Sequence, residues 1–181
     1  MSKDFEPRRL DVKGFAEEGA TLSGEAPLQE FSRLIAETQG RGPTSPVTWS
    51  ATGELRHPGH VQPEIWLDLS ARATLALTCQ RCLAPVDAVV AANRSYRFVA
   101  DENLAAAQDE QAEEDVLALS RRFDLVELVE DELLMELPLA PRHESCPVPV
   151  KLAVADEDFE AAEAQRQNPF AMLGRFKGGK S

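Results

Sequence analysis

From Ile65 to Leu77 every second residue is apolar (Ile65, Leu67, Leu69, Ala71, Ala73, Leu75, Leu77), while Trp66, Asp68, Ser70, Arg72 and Thr74 fill most of the opposite positions. Alternation with a period of two is the pattern of a half-buried strand. It runs directly into Cys79-Gln80-Arg81-Cys82-Leu83-Ala84-Pro85, after which Val86, Ala88, Val90, Tyr96 and Phe98 read as a returning strand. The stretch from Ile65 to Val99 is therefore expected to be a long antiparallel hairpin with a Cys-x-x-Cys at its tip.

Val47, Trp49, Ala51, Gly53 and Leu55 alternate in the same way and predict a strand ahead of the hairpin, ending in the turn His57-Pro58-Gly59-His60. Asp11 is placed to cap a short helix through Phe15 that ends at Gly19, and Thr21 to Glu25 suits a short strand. Pro27 at a first helical position, followed by Leu28, Phe31, Leu34 and Ile35, predicts one amphipathic helix reaching Thr38. Val116, Leu117 and Leu119 suit another short strand. Asp124-Leu125-Val126-Glu127 matches a capping box, and Leu125, Leu128, Val129, Leu133 and Leu137 continue on one face of a second helix that must stop at Pro138.

These elements predict an α+β fold: an antiparallel β-sheet with a long central hairpin, covered by two main helices, with an acidic linker and a C-terminal tail. Residues 1–155 are expected to be a single domain. Within it, residues 101–115 carry seven acidic side chains and no basic one, and read as a solvated, mobile linker with some helix through Leu104 to Ala107. Residues 156–181 read as a polar spacer and a tail, in which Asn168 and Pro169 open a short helix bearing Phe170, Leu173 and Phe176.

Charge narrows the class of partner. The net charge is -12, from 31 Asp and Glu against 19 Lys and Arg. A general binder of duplex DNA or RNA needs a basic face to displace counterions, so the expected direct partner is a basic protein, or a nucleic acid reached through a small basic patch. The first ten residues are polar and charged, without the apolar core of a signal peptide, and no apolar run approaches the length of about 18 residues that spans a bilayer. A cytoplasmic protein is expected, and three cysteines in a reducing compartment argue against a disulfide framework.

Every cysteine falls in a pairable position. Cys79 and Cys82 form one close pair, and His143 with Cys146 forms another. Two such pairs brought together make a Cys3His set that suits structural zinc, because thiolates and imidazole favour that ion and protein groups would fill all four positions. A hairpin-tip pair with an unrelated buried thiol is the plainer alternative. A thioredoxin-like redox motif belongs at a helix N-terminus, whereas this one lies between strands. The sequence presents no nucleophile elbow and no Gly-rich phosphate loop. His57 and His60 read as polar turn residues. The acidic face from Glu127 to Glu136 is either a solvated face or a receptor for the lysines of a basic partner, and the Phe170, Leu173 and Phe176 helix either docks on its own core or is offered to a groove.

Three blocks carry a family resemblance. They are Cys79-Gln80-Arg81-Cys82-Leu83-Ala84-Pro85; Leu128-Val129-Glu130-Asp131-Glu132-Leu133-Leu134 through Leu137-Pro138-Leu139-Ala140-Pro141-Arg142-His143 to Cys146; and Asn168-Pro169-Phe170-Ala171 with Leu173 and Lys177. In these the chain resembles the YceD family, named for accumulation of the large-subunit ribosomal RNA, across its latter half; the N-terminal third matches only in general layout. The resemblance implies a non-enzymatic ribosome biogenesis factor, needed for 23S ribosomal RNA processing or accumulation and for large-subunit assembly.

Its expected partners are a basic large-subunit ribosomal protein, a 23S ribosomal RNA precursor, or both, with no DNA and no membrane. The expected contact residues are Arg81, Glu130, Asp131, Glu132, Arg142, Asn168, Pro169, Phe170, Leu173 and Lys177. The alternatives from other classes are a nuclease and a thiol redox protein. Against the nuclease, Glu130, Asp131 and Glu132 are consecutive on a helix and fan out too widely, at about 100 degrees per residue, to converge on one magnesium ion.

Overall fold

The computed structural model describes residues 5–57 and 63–148. Its elements are α1 (Val12–Glu17), β1 (Thr21–Pro27), α2 (Ser32–Glu37), β2 (Pro46–Arg56), β3 (Glu64–Thr78), β4 (Pro85–Val99), α3 (Glu102–Asp109), β5 (Asp115–Ala118) and α4 (Leu125–Met135). By its contacts the chain divides into a unit from Met1 to Ser145 and a second from Cys146 to Ser181. All of these elements belong to the first. No helix among the described residues is long and apolar enough to cross a membrane.

The five strands form one sheet in sequence order, β1 to β5. The hairpin of β3 and β4 is its centre, with Leu67 opposite Tyr96 and Leu77 opposite Val86. The period-two pattern of the sequence is realised from Leu67 onward: Leu67, Leu69, Ala71, Ala73, Leu75 and Leu77 are buried, while Ser70, Arg72 and Thr74 face outward. At its start Ile65 is only partly buried, and Trp66, on the opposite face, is buried with the Arg56 guanidinium 4.0 Å over its ring. The buried face meets Phe15 of α1, Leu34 of α2 and Leu125, Val129 and Leu133 of α4 in one core. Each such side chain contributes about 1.5–3 kcal/mol by leaving water. One close approach depends on glycine. A Cβ on Gly53 of β2 would lie 2.6 Å from Phe15 Cδ1 and 2.8 Å from the Ala16 nitrogen, so only glycine lets α1 rest directly on the sheet.

Both capping residues act as the sequence predicts. Asp11 accepts from the Gly14 N–H, and Asp124 accepts from the N–H groups of Val126 and Glu127, each at 3.0 Å.

Three features depart from expectation. The single amphipathic helix from Leu28 is broken into a 3-10 turn over Leu28–Glu30 and the separate α2. Pro27 ends β1 opposite Pro46. Phe31 leaves the helical region at φ -106° and ψ 89°, and the Arg33 and Leu34 amides, which would bond back to Gln29 and Glu30 in a continuous helix, donate to Glu130 of α4 at 2.7 and 3.2 Å. The sheet is mixed, because β5 pairs parallel to β4, with Tyr96 opposite Asp115 and Val99 opposite Ala118. Parallel neighbours need a crossover, and α3 supplies it.

The acidic stretch 101–115 thus holds a helix longer than Leu104 to Ala107 and the start of a strand. Asp101 caps α3 by accepting from Leu104 N–H at 3.0 Å, Asp109 accepts from Val116 N–H at 3.0 Å, and Arg97 of β4 supplies the missing cation. Its Nε donates to Glu114 at 2.6 Å and its Nη1 to Gln108 at 2.7 Å.

Candidate metal centre

The hairpin tip is closed by two main-chain bonds: Cys79 N–H donates to the Ala84 carbonyl and Leu83 N–H to the Cys79 carbonyl, both at 2.9 Å. Leu83 reverses the chain with φ +61°, in the left-handed region that side chains seldom enter. Cys79 continues the inward alternation of β3 and is fully buried, while Cys82 is half-buried.

A second arm reaches the tip after α4, in the proline-ruled segment that begins at Pro138. Gln80 N–H donates to the Pro141 carbonyl at 2.8 Å, and an Nη2 of Arg81 donates to the His143 carbonyl at 2.9 Å. The His143 ring is held at both nitrogens: Nε2 lies 2.9 Å from the Pro85 carbonyl and Nδ1 lies 3.4 Å from Cys82 Sγ. A carbonyl only accepts, so Nε2 carries the proton and Nδ1 turns its lone pair to the cysteines.

The donor atoms of Cys79, Cys82, His143 and Cys146 all lie within 4.8 Å of one another. A tetrahedral ion with bonds of about 2.3 Å to sulfur and 2.0 Å to nitrogen sets an S···N edge of about 3.5 Å, close to the Cys82–His143 separation. All three thiols are free of disulfides. Burial raises the Cys79 thiol, but backbone hydrogen bonds from Cys82, His143 and Arg81 bring it down to about 5. This is the deprotonated form a metal requires. The four residues fit a metal ion and would complete its coordination, leaving no position for a substrate.

The other sequence-predicted residues divide by location. Arg81 and Arg142 are exposed on the two arms that meet at the tip. Glu130 and Glu132 are buried and already engaged. Glu130 accepts from the N–H groups of Arg33 and Leu34, at 2.7 and 3.2 Å, and pairs with the Arg33 guanidinium at 3.1 Å. Glu132 pairs with Arg94 Nε at 3.2 Å. Asp131, half-exposed, also pairs with Arg33. Glu130 and Asp131 thus share Arg33 of α2, while Glu132 is turned to Arg94 of β4, so the three carboxylates do not converge on one point. Asn168, Pro169, Phe170, Leu173 and Lys177 lie outside the described residues, as does His60.

Sequence reasoning missed these internal partners and the Pro85 carbonyl behind His143. One signal was present: Glu130 and Glu132 follow and precede the core positions Val129 and Leu133, and so flank the apolar stripe of α4 rather than opposing it.

A family model described as "Large ribosomal RNA subunit accumulation protein YceD" matches residues 67–177. That span takes in nearly all of the hairpin, α4 and all four donors. The curated "Large ribosomal RNA subunit accumulation protein YceD" of Haemophilus influenzae is 34% identical over 106 residues, which are 56% of this chain and 59% of that protein. The chain thus spans about three fifths of the length of this curated relative. No solved structure matches.

Proposed function

The chain belongs to the YceD family of large ribosomal RNA subunit accumulation proteins, and from that membership we propose that it is a non-enzymatic factor in large ribosomal subunit biogenesis. In this reading it acts in the cytoplasm, is needed for 23S ribosomal RNA to be processed and to accumulate, and works by holding a basic large-subunit protein, with RNA touched at most through Arg81, Arg142 and the basic residues near Lys177. The observation that carries the reading is the family match across the hairpin tip and α4, the segments that bring the four donors together.

Zinc is the ion that the Cys3His set favours, and its role is structural: it staples the segment after α4 to the hairpin tip. The carboxylates of α4, which a nuclease would have to offer to magnesium, are engaged by Arg33 and Arg94. With a net charge of -12 the protein attracts a basic partner over the range of a Debye length.

The test is recovery of tagged protein from growing cells at low salt, with the bound proteins and ribosomal RNA identified. One or a few basic large-subunit proteins without bulk RNA, released by salt, is the expected result. Recovery of 23S precursor with no such protein would replace protein contact by direct RNA binding.

A further inference from the structure

The edge of the sheet at β1 is unpaired among the described residues. Gly53 N–H donates to the Ala20 carbonyl at 2.9 Å, so Ala20 and the residues of the same parity, Leu22, Gly24 and Ala26, bond towards β2. Thr21, Ser23 and Glu25 then turn their main-chain N–H and C=O groups outward, which is an edge ready to accept another strand. Pro27, the last residue of β1, falls on the same outward parity, where its missing N–H costs no sheet bond.

A groove of about 520 Å³ opens beside this edge, lined by Gly24, Glu25, Ala26, Glu30, Trp49 and Val126 together with the turn at Glu6 to Arg9. Its floor is the indole of Trp49, which lies so flat over Gly24 that a Cβ there would come within 2.4 Å of Cζ2. At the rim stand Glu6 and Glu30, neither in an ion pair among the described residues, while Arg8 is already 3.8 Å from Asp124. Arg9 remains against two negative charges.

We propose that β1 and this groove form a docking site for an extended, lysine-bearing segment of a basic protein. The segment adds as a strand to β1 through Ser23 and Glu25. Alternate side chains enter the groove, an apolar one over the Trp49 ring and a lysine towards Glu30 or Glu6. The inference rests on the reading above that the partner is a basic protein, and it gives that partner a place on the surface.

The full chain is titrated by amide NMR with a synthetic peptide of alternating Lys and Val, as long as the seven residues of β1, and with its Glu and Val counterpart. The Lys peptide is expected to shift the Ser23 and Glu25 amides and the Trp49 indole N–H and to slow hydrogen exchange at the two amides, while the Glu peptide shifts none of them. Ser23→Pro removes one outward donor and no bond of the sheet, and should weaken binding about tenfold or more. Glu30→Lys should weaken it several-fold and reduce its salt dependence. Shifts confined to other surfaces, or unchanged binding by folded Ser23→Pro protein, would overturn the proposal. Failure of the functional reading is seen separately. A deletion strain with normal large subunits refutes that reading, whereas a deletion strain with depleted large subunits that folded Ser23→Pro protein fully restores refutes the docking site alone.

Discussion

Glu130 holds Arg33 by both its main chain and its side chain, accepting from the backbone N–H at 2.7 Å and from the guanidinium Nε at 3.2 Å across 97 residues of sequence. The carboxylate also takes the Leu34 amide at 3.2 Å, and so serves as the N-terminal cap that α2 lacks in its own sequence, since Phe31 provides no side-chain cap. A buried acid of α4 thereby fixes the start of α2 on the same side of the sheet.

Removing that cap should be costly. Glu130→Ala leaves two amides without their acceptor and is expected to destabilise the fold by about 2 kcal/mol, whereas Glu130→Gln keeps an acceptor oxygen and should lose less. Asp131→Asn, which affects a half-exposed ion pair, should cost under about 1 kcal/mol. Urea unfolding of the three variants checks the order. Equal losses at Glu130→Ala and Asp131→Asn would contradict the capping role.

Gly53 gives a second structural prediction. Adding a Cβ within 2.6 Å of Phe15 pushes α1 from the sheet, so Gly53→Ala should lower stability by about 1–3 kcal/mol, as overpacked cores do. A variant with an unchanged denaturation midpoint would show that α1 does not rest on β2.

The Glu114 carboxylate sits below its ordinary value, chiefly through the hydrogen bond from Arg97. A depressed carboxylate contributes stability above its unfolded value and loses it as pH falls through the folded one. Glu114→Gln is therefore expected to be less stable than the natural chain by about 1 kcal/mol at neutral pH, with the difference vanishing below the carboxylate range. Denaturation midpoints measured across that range check it. A difference independent of pH would mean that the pair with Arg97 contributes nothing by charge.

Purified protein should carry about one zinc ion per chain, and chelation should lower the melting temperature by about 5 °C or more. Cys82→Ser should abolish metal retention. With zinc bound, long-range 15N NMR should find His143 protonated at Nε2 and metal-bound at Nδ1, since Nε2 faces the Pro85 carbonyl. A proton on Nδ1 would remove His143 from the ligand set.

The features legible in the sequence are those written locally. The alternation from Ile65 to Leu77 marks β3 because burial on one face repeats every two residues, and Asp124 marks the start of α4 because a cap acts within one turn. The cysteine and histidine spacings point to the four-donor cluster, because two donors three positions apart can face one ion. What was hidden depends on partners distant in sequence. The break at Phe31 comes with the Arg33 and Leu34 amides turning to Glu130, the parallel pairing of β5 from the α3 crossover, and the inward turn of Glu130 and Glu132 from Arg33 and Arg94. No local pattern around Glu130 names an arginine on another helix.

Whether the protein serves large-subunit biogenesis is decided by deleting its gene and measuring ribosomal subunits on a gradient, together with the 23S to 16S ribosomal RNA ratio. A selective shortage of large subunits and of 23S RNA, restored by the natural chain, is the expected result. A normal subunit profile with a normal ratio in the deletion strain would contradict it.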